Sequence, residues 1–124
     1  MMRILVIEDE DEIRELISFK LRGAGYEVFT ANDGEQGLEM AGQVLPELVI
    51  IDWMMPRMNG VDAVAAMGAD AALRTIPVIM LTAKGQEHDV QRGFAAGVDD
   101  FIIKPFSPRE LMSRVDAALS RVRR

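Results

Sequence analysis

The segment ILVIEDEDE, residues 4–12, runs from four apolar residues directly into five consecutive acids. Three further apolar runs have the same uninterrupted character, at residues 48–51, 78–81 and 101–103, and a weaker, alternating run lies at residues 27–30. Short strands that are apolar at every position are typical of a parallel sheet covered on both faces. The sequence therefore predicts five strands, most of them buried.

Segments with helical spacing of apolar residues lie between and after these strands. The first begins after the acids and is followed by stop signals at Gly23 and Gly25. The last opens with Ser107 as a cap and Pro108 at the first helical position. Three further helices are predicted at residues 34–44, 61–73 and 86–97.

Strand and helix thus alternate five times, which predicts a single α/β domain over residues 1–124. Right-handed crossovers would place helices on both faces of an open parallel sheet, in a three-layer (βα)5 sandwich. The first, third and fourth strands are the most apolar and should be central. The second strand, with Glu27 and Thr30, and the short fifth strand should form the edges. This pattern matches the flavodoxin-like strand order 2-1-3-4-5.

Composition excludes several classes of function. The chain has no cysteine and one histidine, so disulfide scaffolds, thiol catalysis and His-rich metal sites are excluded. The net charge of −6 comes mostly from the acids at residues 8–12, and nothing indicates a nucleic-acid surface. The apolar run near the N-terminus, residues 4–7, is too short for a signal peptide. No apolar run in the sequence approaches the ~18 residues of a membrane span. We therefore expect a soluble, cytoplasmic protein.

Residues suited to chemistry follow four of the strands: Glu8 and Asp9, Asp52, Thr82 and Ala83, and Lys104. Ligands bind such sheets at the carboxyl ends of the strands, where the strand order reverses. Three carboxylates in one crevice cannot all stay ionised without compensation. An all-oxygen site favours Mg²⁺, with Mn²⁺ as the alternative. Lys104 would then reach an anion bound to the metal.

A metal, an ammonium group, a hydroxyl and a backbone N–H around one carboxylate suit phosphoryl transfer, with the carboxylate as nucleophile. Each residue taken singly has a simpler interpretation. Asp9 or Asp11 would cap the first helix, and Asp52, which precedes Pro56, would be a turn residue. It is their joint placement at the ends of four strands that favours a site.

These residues resemble the receiver domain of two-component response regulators, over the whole chain. The motifs that carry the resemblance are Glu8-Asp9, Asp52-x-x-x-Pro56 with Asn59-Gly60 after it, Thr82-Ala83, and Lys104-Pro105-Phe106. The resemblance implies a signalling domain, which catalyses only its own phosphorylation and slow dephosphorylation.

The resemblance also implies residue roles. Asp52 would be the phosphoacceptor, and Glu8, Asp9 and Asp52 would hold Mg²⁺ with the backbone carbonyl of Met54. Lys104 would pair with the phosphoryl group through a loop in which the Lys104-Pro105 bond is cis. The first acid is Glu8 where many members have Asp.

A second set of implied roles concerns switching. Thr82 would move to hydrogen-bond the phosphoryl group, with the Ala83 N–H as a further donor, and Phe101 would turn inward in response. Met54 and Lys84 would line the approach of the hydrolytic water. Signals would leave through the face formed by the fourth helix, the fifth strand and the fifth helix.

The implied phosphodonor is a phosphohistidine on a sensor histidine kinase or a histidine phosphotransfer protein. His88 is expected to be an exposed residue and not the donor. We favour a chain that acts alone on a downstream protein, and the alternative is the receiver of a DNA-binding regulator. In the second case phosphorylation would drive a homodimer in which Asp100 and Arg114 supply a charge pair. Neither case predicts a membrane partner or direct nucleic-acid binding.

Two rival functions share parts of this pattern. An aspartyl-phosphate-forming, Mg²⁺-dependent phosphohydrolase would place its nucleophile after the first strand in an Asp-x-Asp-x-Thr/Val motif, and residues 9–13 start this motif but end in Ile13. A flavodoxin-like electron carrier needs a phosphate-binding loop after the first strand. The five acids there would repel a phosphate.

Overall fold

The structure, a computed structural model, describes residues 1–83 and 87–122, without the side chains of residues 87, 88 and 122. Strands and helices alternate as β1 (Arg3–Ile7), α1 (Asp11–Gly23), β2 (Glu27–Ala31), α2 (Gly34–Val44), β3 (Leu48–Asp52), α3 (Gly60–Gly68), β4 (Val78–Thr82), α4 (Glu87–Ala96), β5 (Asp100–Ile103) and α5 (Pro108–Val122). This confirms the predicted alternation.

The five strands form one parallel sheet in the order β2-β1-β3-β4-β5. Both the α/β fold and the flavodoxin-like order are therefore confirmed, with β2 and β5 at the edges. All residues of β3 and β4 are buried, whereas Glu27 at the start of β2 and Ile103 at the end of β5 are exposed. Burial on both faces explains why the central strands are apolar at every position.

Alternate residues of each strand enter two separate cores. Leu5 and Ile7 of β1 pack into one core with α2 and α3, while Ile4 and Val6 pack into the other with α1 and α5. Each helix therefore covers the sheet with one apolar face. Because all five strands are parallel, their carboxyl ends lie along one edge of the sheet.

The element boundaries differ from the predicted ones at the ends of β3 and β4, which are longer, and at the end of α3, which is shorter. Polar residues such as Asp52 and Thr82 belong to the strands, because they pair in the ladder with neighbouring strands. Helix α3 ends at Gly68, although its apolar pattern continues to the buried Leu73. The side chain of Asp70 accepts a hydrogen bond from the Ala72 N–H at 2.8 Å, which favours a turn over a longer helix.

The N-caps of the helices match the predicted caps in one case and differ in another. Ser107 accepts a hydrogen bond from the Glu110 N–H at 3.0 Å and caps α5 as predicted. Asp33 caps α2 through the Gln36 N–H. Glu10 is the N-cap of α1 and makes no side-chain cap bond within the described part of the chain, so the capping interpretation of Asp9 and Asp11 is wrong.

Over residues 1–83 and 87–122, no helix is long and apolar enough to cross a membrane.

Two glycines of α2 test how closely this helix packs on β1. A Cβ atom at Gly37 would overlap the buried side chain of Ile7, whereas one at Gly42 would meet no described atom within 4 Å. We expect Gly42→Ala to raise the free energy of unfolding by about 0.5–1 kcal/mol, because alanine favours helix. Gly37→Ala should lower it by roughly 1 kcal/mol, because overpacking outweighs that gain. Urea unfolding of both variants measures the difference, and equal shifts would contradict the close packing.

Candidate functional site

Three carboxylates meet where β1 and β3 end. Glu8 and Asp9 follow β1, and Asp52 is the last residue of β3. Because Ile7 pairs with Ile51 in the ladder, the residues that follow lie side by side. Carboxylate oxygens of Glu8, Asp9 and Asp52 all lie within 4.8 Å of one another. Glu8 is fully buried and Asp52 is 5% exposed, so this is an acidic cluster set into the edge of the sheet.

The amine of Lys104 lies between two of these carboxylates. Its Nζ is 2.9 Å from Glu8 Oε1 and 3.0 Å from Asp52 Oδ1. The Lys104 N–H donates to the Thr82 carbonyl oxygen at 2.7 Å, which fixes the backbone beside β4. The Lys104-Pro105 peptide bond is cis. Lys104 was expected to reach a bound anion, and in the structure its amine pairs directly with Glu8 and Asp52.

Burial and crowding shift the pKa values of all three groups. Burial raises the pKa of Glu8 to about 7, against the lowering effect of its hydrogen bond to Lys104. Burial also raises the pKa of Asp52, with Lys104 opposing and the charge of Asp9 adding to the rise. Burial alone would lower the pKa of Lys104, but its pairing with Glu8 and Asp52 raises it overall. The site therefore carries more negative charge than one ammonium group compensates.

The donor set fits a hard divalent cation. All three side chains offer carboxylate oxygens, which Mg²⁺ prefers over the nitrogen and sulfur ligands of zinc. The raised carboxyl pKa values point the same way, because a cation would stabilise the charged forms. Met54, whose carbonyl is the expected fourth ligand, lies two residues after Asp52 on the loop that follows β3.

An open cleft of about 380 Å³ lies beside the acidic cluster. Its lining consists of Trp53, Met54, Thr82, Ala83, Asp89 and Arg92. Thr82 is 6% exposed at the end of β4, and Ala83 after it is exposed. The predicted residues Thr82 and Ala83 thus border the same opening as the loop that follows Asp52. Lys84 lies outside the described residues, as does the side chain of His88.

Aromatic rings connect this cleft with the surface of α4. The half-buried ring of Phe101 lies 6.3 Å from the Trp53 ring and 5.1 Å, edge to face, from the Phe94 ring, between centroids. The Arg92 guanidinium lies 6.0 Å from the centre of the Trp53 ring. The Phe101 ring fits here because residue 93 is a glycine: a Cβ atom at Gly93 would overlap the ring. Phe101 was predicted from the sequence but Trp53 was not, although its position directly after Asp52 was a signal.

The loop after β3 is closed tightly over the strand end. The Gly60 N–H donates to the Trp53 carbonyl oxygen at 2.8 Å, and a Cβ atom at Gly60 would overlap the Asp52 carbonyl oxygen. Met55 and Met58 are partly buried and pack against the core, while Met54 is 74% exposed. Asp52 itself belongs to β3, so its interpretation as a turn residue is wrong.

The expected output face carries an ion pair and exposed apolar residues. Arg114 of α5 lies 3.0 Å from Asp100 of β5 within the same chain. Phe94 of α4 and Ile103 of β5 are both about half exposed, at 50% and 51%. Asp100 and Arg114, which were expected to pair across a dimer, therefore pair with each other inside one chain.

Comparisons with known proteins show what the chain as a whole is similar to. A family model described as the response regulator receiver domain matches residues 4–116. The phosphate regulon transcriptional regulatory protein PhoB of Klebsiella pneumoniae is 42% identical over 120 residues, which is 97% of this chain and 52% of that protein. The chain thus spans about half the length of this curated relative.

Solved structures are similar over nearly the whole chain. The Vibrio cholerae chemotaxis protein CheY4 has a TM-score of 0.92 and 33% identity, covering 95% of this chain and 98% of that one. The receiver domain of the Pseudomonas aeruginosa PAO1 sensor histidine kinase PA1611 has a TM-score of 0.89 and 28% identity, covering 96% and 98%. That structure has a magnesium ion coordinated in its active-site cleft.

The raised pKa of Glu8 predicts a pH dependence of stability without metal. The folded carboxyl group titrates at about 7 and the unfolded one at 4.5. Between these values the folded state keeps a proton that the unfolded state releases, so the contribution of Glu8 to the free energy of unfolding falls as pH rises. The fall should be of order 1–3 kcal/mol.

Urea unfolding in the presence of a chelator, from about pH 4.5 to 8, measures this fall as the difference between wild type and Glu8→Gln. The exposed Glu12 gives a matched control, because Glu12→Gln removes one carboxylate outside the buried cluster and should keep the fall that Glu8 causes. A wild-type curve parallel to that of Glu8→Gln would contradict the assignment.

Proposed function

This chain belongs to the family of response regulator receiver domains of two-component systems, and from that premise we propose that Asp52 accepts a phosphoryl group from a phosphohistidine of a partner protein. The partner would be a sensor histidine kinase or a histidine phosphotransfer protein. The observation that carries the proposal is the cluster of Glu8, Asp9 and Asp52 with the Lys104 amine 3.0 Å from Asp52. The chain therefore acts in signalling through its own modification.

The reaction we propose moves one phosphoryl group. A carboxylate oxygen of Asp52 forms the new P–O bond while the P–N bond of the phosphohistidine breaks, and the leaving imidazole keeps the electron pair and takes a proton from solvent. Glu8, Asp9, Asp52 and the Met54 carbonyl would hold Mg²⁺, which would neutralise charge on the transferred oxygens. Mn²⁺ offers the same chemistry.

The other site residues then act on the phosphoryl group. Lys104, already 3.0 Å from Asp52, would transfer its pairing from the carboxylates to the more highly charged phosphoryl oxygens. The Thr82 hydroxyl and the Ala83 N–H border the same cleft and would donate to them. Movement of Thr82 would change the space beside Phe101, whose ring already contacts Trp53 next to Asp52.

Output would use the face of α4, β5 and α5. Phosphorylation favours whichever conformation binds the modified group better, and the surface near Phe101 would report that change. PhoB of K. pneumoniae is a transcriptional regulatory protein about twice as long as this chain. We propose either that the receiver, residues 1–124, controls an attached DNA-binding domain, with homodimerisation through this face on phosphorylation, or that it binds a separate protein. In both cases it would work in the cytoplasm.

Removal of the proposed nucleophile tests the central step. We expect wild type incubated with acetyl phosphate and Mg²⁺ to gain one phosphoryl group on the peptide that contains Asp52, detected by mass spectrometry. Asp52→Ala should incorporate none, whereas Asp62→Ala, which removes an exposed carboxylate of α3, should behave as wild type. Label that persists in Asp52→Ala would refute the site, and steady turnover of a phosphomonoester would support a phosphohydrolase.

Removal of the lysine separates metal binding from switching. We expect Lys104→Ala to bind Mg²⁺ at least as tightly as wild type. The substitution removes the ammonium group that competes with the metal ion for the carboxylates of Glu8 and Asp52. The variant should lose the shifts of Thr82 and Phe101 amide resonances that beryllofluoride, a phosphoryl mimic, induces in wild type. Calorimetry and NMR measure the two effects, with Lys20→Ala on the exposed face of α1 as the control. Wild-type shifts in Lys104→Ala would contradict the role.

A further inference from the structure

The loop between β3 and α3 reverses direction at a residue with unusual backbone geometry. Arg57 has a φ of 69°, in the left-handed region that favours glycine. The Met58 N–H donates to the Pro56 carbonyl oxygen at 2.8 Å, which closes a three-residue γ-turn around Arg57. A γ-turn with positive φ is rare and strained. Something outside the turn must therefore hold the loop in this shape.

Asp33, the N-cap of α2, binds Arg57 and stabilises the turn. Its Oδ2 lies 2.5 Å from Nη1 of Arg57, and its Oδ1 accepts the Gln36 N–H at 2.8 Å. The Asp33 side chain is 8% exposed, whereas that of Arg57 is 65% exposed. One buried carboxylate therefore caps α2 and anchors the loop at the same time.

Backbone packing brings the two segments together independently of this ion pair. A Cβ atom at Gly34, the residue after Asp33, would overlap the Met58 carbonyl oxygen. The start of α2 and the turn around Arg57 are thus in direct contact. Because α2 is packed on the sheet through Gly37 and Ile7, the loop rests on a rigid support.

We propose that Asp33 and Arg57 form a positioning pair, which fixes the β3–α3 loop in the conformation that binds a divalent cation at the acidic cluster. The inference rests on the proposed function, because Met54, the expected backbone ligand, lies three residues before Arg57 on this loop. Asp33 touches no ligand and acts only through the loop. A loop that also populates other conformations binds more weakly, in proportion to the fraction that is competent.

Two substitutions separate the ion pair from the helix cap and from backbone strain. Asp33→Asn keeps a side-chain oxygen for the Gln36 N–H, and asparagine caps helices as well as aspartate does, but the charge that binds Arg57 is lost. Arg57→Gly removes the charge and also the strain, since glycine adopts positive φ readily. Glu35→Gln, in the exposed first turn of α2, is the control for loss of one negative charge near this helix start.

We expect Asp33→Asn to raise the Mg²⁺ dissociation constant about three- to tenfold, the size of a partly buried ion pair. Calorimetry measures it, and the single tryptophan, Trp53, gives a fluorescence signal beside the site. Amide exchange at Met58 and Gly60 should become faster in the metal-free variant, a readout independent of phosphorylation. Glu35→Gln should stay within twofold of wild type. In the Arg57→Gly background, Asp33→Asn should change the constant by less than twofold.

Two results would contradict the proposed positioning role of Asp33 and Arg57. An Asp33→Asn constant within twofold of wild type would show that the loop does not need the anchor. An equal loss in the Arg57→Gly background would show that Asp33 acts through α2 alone. Failure of wild type to bind Mg²⁺ would instead contradict the proposed function, and amide exchange at Met58 and Gly60 would still show whether Asp33 holds the loop.

Discussion

The contact on which the site depends is the Lys104 amine held between the carboxylates of Glu8 and Asp52, at 2.9 and 3.0 Å. Buried carboxylates this close repel one another, and burial alone raises the pKa of both. One ammonium group compensates part of that charge and leaves Asp9 beside the pair. The cluster is therefore charged enough to attract a divalent cation.

The sheet creates this cluster through strand order. β1 and β3 are neighbours although α1, β2 and α2 lie between them in the chain, so the residues that follow them are brought side by side. The apolar strands stabilise this arrangement by burial on both faces, which leaves polar groups only at the strand ends. Gly60 completes the edge, because only a residue without a side chain allows the loop to lie against the Asp52 carbonyl.

Two connections lead away from the cluster in different directions. Toward α4, the rings of Trp53, Phe101 and Phe94 form a continuous contact from the residue after Asp52 to a half-exposed surface. Toward α2, the loop after Asp52 rests on Asp33 and Gly34. The first connection suits transmission of a change, because aromatic rings can reorient. The second suits rigidity, since it joins backbone to backbone and a buried carboxylate to a guanidinium group.

The sequence by itself determined the alternation of strands and helices, the edge positions of β2 and β5, and the candidates Glu8, Asp9, Asp52, Thr82 and Lys104. Apolar runs and helical spacing are local signals, and a residue that follows a buried strand is identified by position alone. Only the tertiary structure decided that Lys104 contacts Glu8, 96 residues away, that Arg57 pairs with Asp33, and that α3 ends at Gly68. These contacts depend on how crossovers bring distant strand ends together and on single side-chain hydrogen bonds, and neither leaves a periodic trace in the sequence.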